Sequence, residues 1–189
     1  MQADYIRSVQ KQFAYYKMLG DKTIAQLDDA QLFWSPDAES NSLAAIVKHL
    51  WGNMRSRWTD FYTTDGEKPW RDREAEFVVD FQTRAELLDR WESGWPTLFA
   101  IINQLEAADL ERIIYIRNLG HSVVEAINRQ LAHYAYHVGQ MVALGKQLRG
   151  AQWQSLSIPR GGSAAYNAQK FAQQKRRQHF TDEFLTDES

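Results

Sequence analysis

Apolar residues recur at spacings of three and four along four long stretches of this chain, the pattern of amphipathic helices. The first stretch covers residues 4–27, with Ile6, Val9, Phe13, Tyr16, Ile24 and Leu27 on one stripe. Gly20 interrupts it and leaves room for a kink. After a loop around Ser35-Pro36, Ser42 reads as the N-cap of a second helix, its hydroxyl placed to accept from a free backbone N–H. That helix carries Leu43, Ile46, Val47, Leu50, Met54, Trp58 and Phe61 and ends before the Asp65-Gly66 turn. A long polar connection follows to about Asp80. The third helix spans residues 83–105, and Pro96 within it predicts a kink or a split. Ile113 to Ile116 reads as an extended loop, because a lone strand has no partner. The fourth helix runs from near Ser122 to about Arg149, with Gly150 placed to end it.

Four such helices predict an all-α fold, a four-helix bundle. The connection between the second and third helices is long enough to cross the bundle, so those two need not be antiparallel. Residues 1–150 form the expected domain. Residues 151–189 are a C-terminal extension, whose Lys175-Arg176-Arg177 cluster reads as solvated helix surface.

Composition narrows the function. The 189 residues are 44% hydrophobic and 24% charged with a net charge of −2, which gives no sign of a nucleic-acid surface. No apolar run is long enough for a membrane span, and the N-terminus lacks a secretory pattern, so a cytoplasmic location is expected. Cysteine is absent. That excludes disulfides, a cysteine nucleophile and thiolate ligands, and leaves His, Asp and Glu for any metal.

The chemistry concentrates in His133 and His137, four residues apart on one face of the fourth helix. His49 in the second helix could supply a third ligand. All three fall at the border of their apolar stripes, where helices meet. Spacing alone fits a metal site and three ordinary boundary histidines equally well. If a metal binds, three imidazoles leave a position for water or substrate, with zinc the default and nickel or iron compatible. Asn53, one turn after His49, reads first as a bundle hydrogen-bond residue and second as a contact to a metal-bound water. His121 reads as a loop or capping residue and His179 as exposed. Arg160 with Gly161-Gly162 reads as a tail segment packed across the bundle rather than an anion site. Glu67, Asp65 and Glu74 are candidate general bases, although charged loop residues are usually just solvated.

Several blocks together resemble the DinB/YfiT-like superfamily of metalloenzymes, in a branch catalogued as a domain of unknown function. They are NSLAAIVKHLWGNM at 41–54, SRWTDF at 56–61, TDGEKPWRDR at 64–73, RQLAHYAYHVGQ at 129–140 and LSIPRG at 156–161. The resemblance implies an up-down-down-up bundle, often a homodimer. It also implies a zinc or nickel ion held by His49, His133 and His137. Members with known activity are thiol-dependent transferases and isomerases, and others are taken for hydrolases. A metal-dependent S-transferase using a low-molecular-weight thiol and a small-molecule substrate is therefore the leading expectation. A hydrolase that activates water at the metal, and a non-enzymatic metal-binding bundle, are the alternatives. Where this chain reads Arg117-Asn118-Leu119-Gly120, the resemblance leads one to expect an Arg-Gly-Glu-like turn.

Overall fold

The computed structural model describes residues 2–185. It is mostly helical, with one small two-stranded sheet. The helices are α1 (Gln2–Gln26), α2 (Asp29–Phe33), α3 (Leu43–Trp58), α4 (Arg84–Ile102), α5 (Val123–Arg149) and α6 (Ser163–Phe171). The strands β1 (Ile113–Ile116) and β2 (Leu119–Ser122) form an antiparallel hairpin just before α5. Their boundaries follow local chemistry. The Ser42 hydroxyl accepts from the Ala45 N–H at the start of α3. Thr83 with Glu86 and Ser122 with Glu125 make reciprocal capping boxes at α4 and α5. Gly150 ends α5 at φ 51°, a conformation that costs glycine little.

Helix α3 is the most enclosed element: 14 of its 16 residues are buried. Lys48, His49, Asn53, Ser56 and Arg57 must therefore find partners inside the protein. On one side α3 meets α4, where Gly94 sits against Trp51 and Met54. On the other it meets α5, where His49 faces His133 and Asn53 accepts from Gln130 at 2.9 Å. Helix α1 lies along α5: Tyr5 donates to Asn128 at 2.7 Å, and Thr23 approaches Gly145. It also lies along α4 in the opposite sense, with Gln10 bonded to the Ile102 carbonyl and Lys17 paired with Glu92. Phe13, Trp58, Trp95 and Tyr134 meet edge to face or tilted at the centre.

Several expectations change. Helix α1 runs unbroken through Gly20, whose role is contact: a Cβ there would lie 2.3 Å from the Trp91 ring. Likewise α4 continues through Pro96 and is not split. Helix α2, capped by Asp28 and Gln31, was not anticipated. Ile113–Ile116 is a strand after all, because Leu119–Ser122 returns to pair with it. Arg117 and Asn118 at the turn both take positive φ, 56° and 61°. Asp65 holds that turn by accepting from both backbone N–H groups at 2.8 Å.

The segment after Gly150 docks through Trp153, which lies against Gly145, and through paired bonds between Gln26 and Gln154. Lys175, Arg176 and Arg177 are exposed as expected, but on an irregular segment beyond α6 rather than on a helix. His179 is half-buried, not exposed: its ring bonds Ser8 at 3.0 Å and Thr181 at 2.8 Å. Among the described residues no helix is long and apolar enough to cross a membrane.

Candidate metal centre

Positions 49, 53 and 57 on α3 and 129, 133 and 137 on α5 each repeat every four residues, so each trio lines one helix face. Where those faces meet, His49, His133 and His137 converge. One ligating nitrogen from each lies within 4.8 Å of the others. Nε2 of His49 and Nε2 of His133 are 3.1 Å apart. Two nitrogens on one tetrahedral zinc, each about 2.0–2.1 Å from it, would be about 3.3 Å apart. His49 and His137 are buried, and His133 is partly so.

The tautomers follow from what each Nδ1 meets. His49 donates from Nδ1 to the Glu76 carboxylate at 2.9 Å. His137 donates from Nδ1 to Gln140 Oε1 at 2.8 Å. A neutral ring that donates at Nδ1 keeps its lone pair on Nε2, so both present ligating nitrogens to the shared point. His133 Nδ1 is buried with no hydrogen-bond partner. The His49 ring also stacks on Phe77 at 4.8 Å.

Glu76 is itself clamped. Arg71 donates to its two oxygens from Nε at 2.6 Å and from Nη2 at 2.8 Å. Burial opposes ionisation of Glu76, but the bonds from Arg71 and His49 outweigh it and hold the carboxyl below its ordinary range. The carboxylate fits because residue 52 is glycine: a Cβ there would lie 2.3 Å from Glu76 Oε1. An Arg71–Glu76–His49 chain thus fixes one imidazole from behind, as carboxylates do for metal-binding histidines.

A family model described as a protein of unknown function (DUF1572) matches residues 1–162. The chain belongs to that family. No curated protein matches it.

In this DUF1572 chain the two α5 imidazoles are poor bases. Burial, then the neighbouring His137 and His49, bring His133 down to about 3. Burial, then His49, brings His137 to about 4, although its bond to Gln140 works the other way. Both rings are therefore neutral at pH 7, the state in which imidazole binds metal.

A cavity of about 380 Å³ opens beside the three rings. Its walls include Asn53, Phe77, Gln130 and Tyr136, with Arg57, Arg71, Arg73, Arg117 and Arg129. Asn53 accepts from Gln130 and from the Tyr134 hydroxyl, which in turn accepts from Trp58 Nε1 at 3.0 Å. Its bundle role is thus visible in the DUF1572 fold, and it also faces the cavity. The candidate bases are elsewhere. Asp65 caps the hairpin turn, Glu74 is exposed, and Glu67 is held by Arg57, Arg71 and Arg117. Arg160 is exposed and does not line the cavity. His121 lies in β2, donating to the Leu119 carbonyl and accepting from Arg129 at 3.2 Å.

Sequence reasoning missed Glu76 and Arg71, which sit in the polar connection between α3 and α4. One signal was present. Gly52, three residues after His49 in a helix interior, costs about 1 kcal/mol against alanine, and such a glycine usually has a packing reason.

Proposed function

We propose that this protein is a metal-dependent enzyme that transfers a low-molecular-weight thiol to an electrophilic small molecule, with His49, His133 and His137 as the metal ligands. The observation that carries the reading is the convergence of three imidazoles, one ligating nitrogen from each within 4.8 Å of the others. The donor set fits zinc or nickel, and three protein ligands leave room for an outside one. A divalent ion held there would favour the ionised form of a coordinated thiol at neutral pH.

The chain's own groups prepare that chemistry. Glu76 orients His49, Gln140 orients His137, and Phe77 shields the His49 ring from solvent. Among the described residues no Asp or Glu lines the cavity, and Glu76 is bound behind His49 by Arg71, so a hydrolase would lack a carboxylate base facing the cavity. The chain also has no cysteine of its own, so any thiol must come from outside. The reaction type rests on the resemblance to the DinB/YfiT-like superfamily.

The same reading covers architecture. We take α1, α3, α4 and α5 as an up-down-down-up four-helix bundle, with the 59–83 connection as its crossover. In support, α1 runs along α5 in the same sense and along α4 in the opposite one. Contacts between α3 and α5 run in opposite order, with His49 beside His137 and Asn53 beside Gln130. Residues 1–150 form the domain and 151–189 its extension. A cytoplasmic location, expected from the absence of a secretory pattern in the sequence, and a homodimer, implied by the same resemblance, complete the proposal.

The test uses untagged protein with bacillithiol and a chlorodinitrobenzene electrophile. Turnover should require metal, return when zinc or nickel is restored to stripped protein, and vanish in His133→Ala. Full activity in stripped protein would overturn the mechanism. Ester cleavage without thiol would favour a hydrolase instead. Metal-dependent melting with neither activity would leave a structural site.

A further inference from the structure

Guanidinium groups ring the cavity beside the histidines, and the thiol chemistry makes no use of them. Arg57, Arg71, Arg73, Arg117 and Arg129 all line it, whereas no Asp or Glu among the described residues does. Carboxylates behind the wall answer part of this charge. Glu67 pairs with Arg57, Arg71 and Arg117, Glu76 pairs with Arg71, and Glu74 approaches Arg73 at 3.4 Å. Three acids against five guanidiniums leave two positive charges over, before a divalent ion adds its own. Arg129 makes no ion pair among the described residues; its Nη1 donates to His121, a ring already donating to a backbone carbonyl. Arg57 lies deeper, 6% exposed, and its Nε is buried without a partner. Crowded cations in a part-buried hollow are costly unless an opposite charge completes the site.

We infer that this cavity binds a carboxylate or phosphate carried by the small molecule whose other end reaches the three histidines, with Arg129 and Arg117 as its ligands at the mouth. The inference rests on reading the histidines as a metal centre. Arginine suits the task because its planar fork matches both oxyanions in two parallel bonds. Both side chains belong to exposed residues, so neither needs the fold to move before it can bind. Arg129 and His133 are four residues apart on α5, so their backbones are about 6 Å apart along the helix axis. The ligand is therefore short, with its anionic group a few bonds from the atom that reaches the metal. A mercapto acid has that form.

Titration calorimetry on full-length, metal-loaded protein tests this with mercaptosuccinate against 2-mercaptoethanol. The acid should bind at least tenfold more tightly. That preference should fall to within threefold when Arg129→Gln and Arg117→Gln are combined, with metal content unchanged. Arg112→Gln, outside the cavity, should keep the preference. Succinate and inorganic phosphate, titrated into metal-free protein, decide between the two oxyanions, and binding of either should be lost in the double variant. Equal affinity for the two thiols, or a preference that survives the double variant, would overturn the inference. A chain that holds no metal yet binds succinate or phosphate through these arginines would sink the metal reading while upholding the anion site. Binding of no anion in either form would sink the inference alone.

Discussion

Two hollows on this protein hold histidine beside charged groups, and they differ in how the charges are balanced. The larger, about 460 Å³, lies where the C-terminal segment folds back on the start of α1. There Asp4 meets Arg7 and Arg177, Asp182 meets Lys11, and His179 bonds two hydroxyls. Every one of these groups already has a partner, and such exposed pairs contribute little. The smaller hollow, about 380 Å³, gathers three imidazoles and five guanidiniums and, among the described residues, is lined by no carboxylate. Volume would choose the first. Unanswered lone pairs and charges choose the second, because groups held ready for something absent from the chain are what a binding site requires.

The sharpest way to break the contrast is to remove Glu76. Its carboxylate holds both His49 and the Arg71 side chain, which is only 2% exposed. Glu76→Ala leaves that guanidinium buried and without its closest partner, which should cost about 3–5 kcal/mol in a denaturant melt. It should also weaken metal affinity by about 10–100-fold, the usual effect of losing the group behind a ligating histidine. Glu76→Gln, which keeps the shape, should recover much of the stability and less of the metal affinity. Unchanged affinity in both variants would make Glu76 a structural residue only.

Acid should separate the regions next. His133 and His137 titrate near 3 and 4 in the folded protein, against about 6.5 in the unfolded chain. Below pH 6.5 the unfolded chain takes up protons that the folded one refuses, so stability falls with pH. The contribution is fully present above about pH 6.5 and lost progressively down to pH 3–4. Chemical denaturation of metal-free protein should show stability falling steadily across that window. The slope should be shallower in His133→Asn. An unaltered slope there would mean that other groups carry the acid sensitivity.

Legibility followed the range of the interactions. Helix α5 runs from Val123 to Arg149, close to its reading, because its capping box and terminal glycine are local signals. The His49, His133 and His137 candidates were visible for the same reason, since four-residue steps mark a helix face. What joins the two faces was not visible. Glu76 reaches His49 across 27 residues of sequence, from a polar connection in which nothing local singled it out. The hairpin was missed because its turn is Arg117-Asn118 rather than Asn-Gly, and because Asp65, 52 residues earlier, holds it. Gly20 misled in the opposite direction: read as weakness, it is the surface on which Trp91 lies.

The smallest effect should come from the other hollow. His179→Ala removes the bonds to Ser8 and Thr181 and should leave metal content unchanged, with only a minor shift in melting temperature. A variant that lost metal would show that the two regions are coupled.

The central claim is that three imidazoles from α3 and α5 hold one divalent ion. Elemental mass spectrometry of untagged protein, purified without chelator, measures it directly. The account expects about one zinc or nickel per chain, falling close to zero in His133→Ala while the variant remains folded by circular dichroism. Metal far below one per chain that cannot be restored by titration, or full occupancy in the variant, would contradict it.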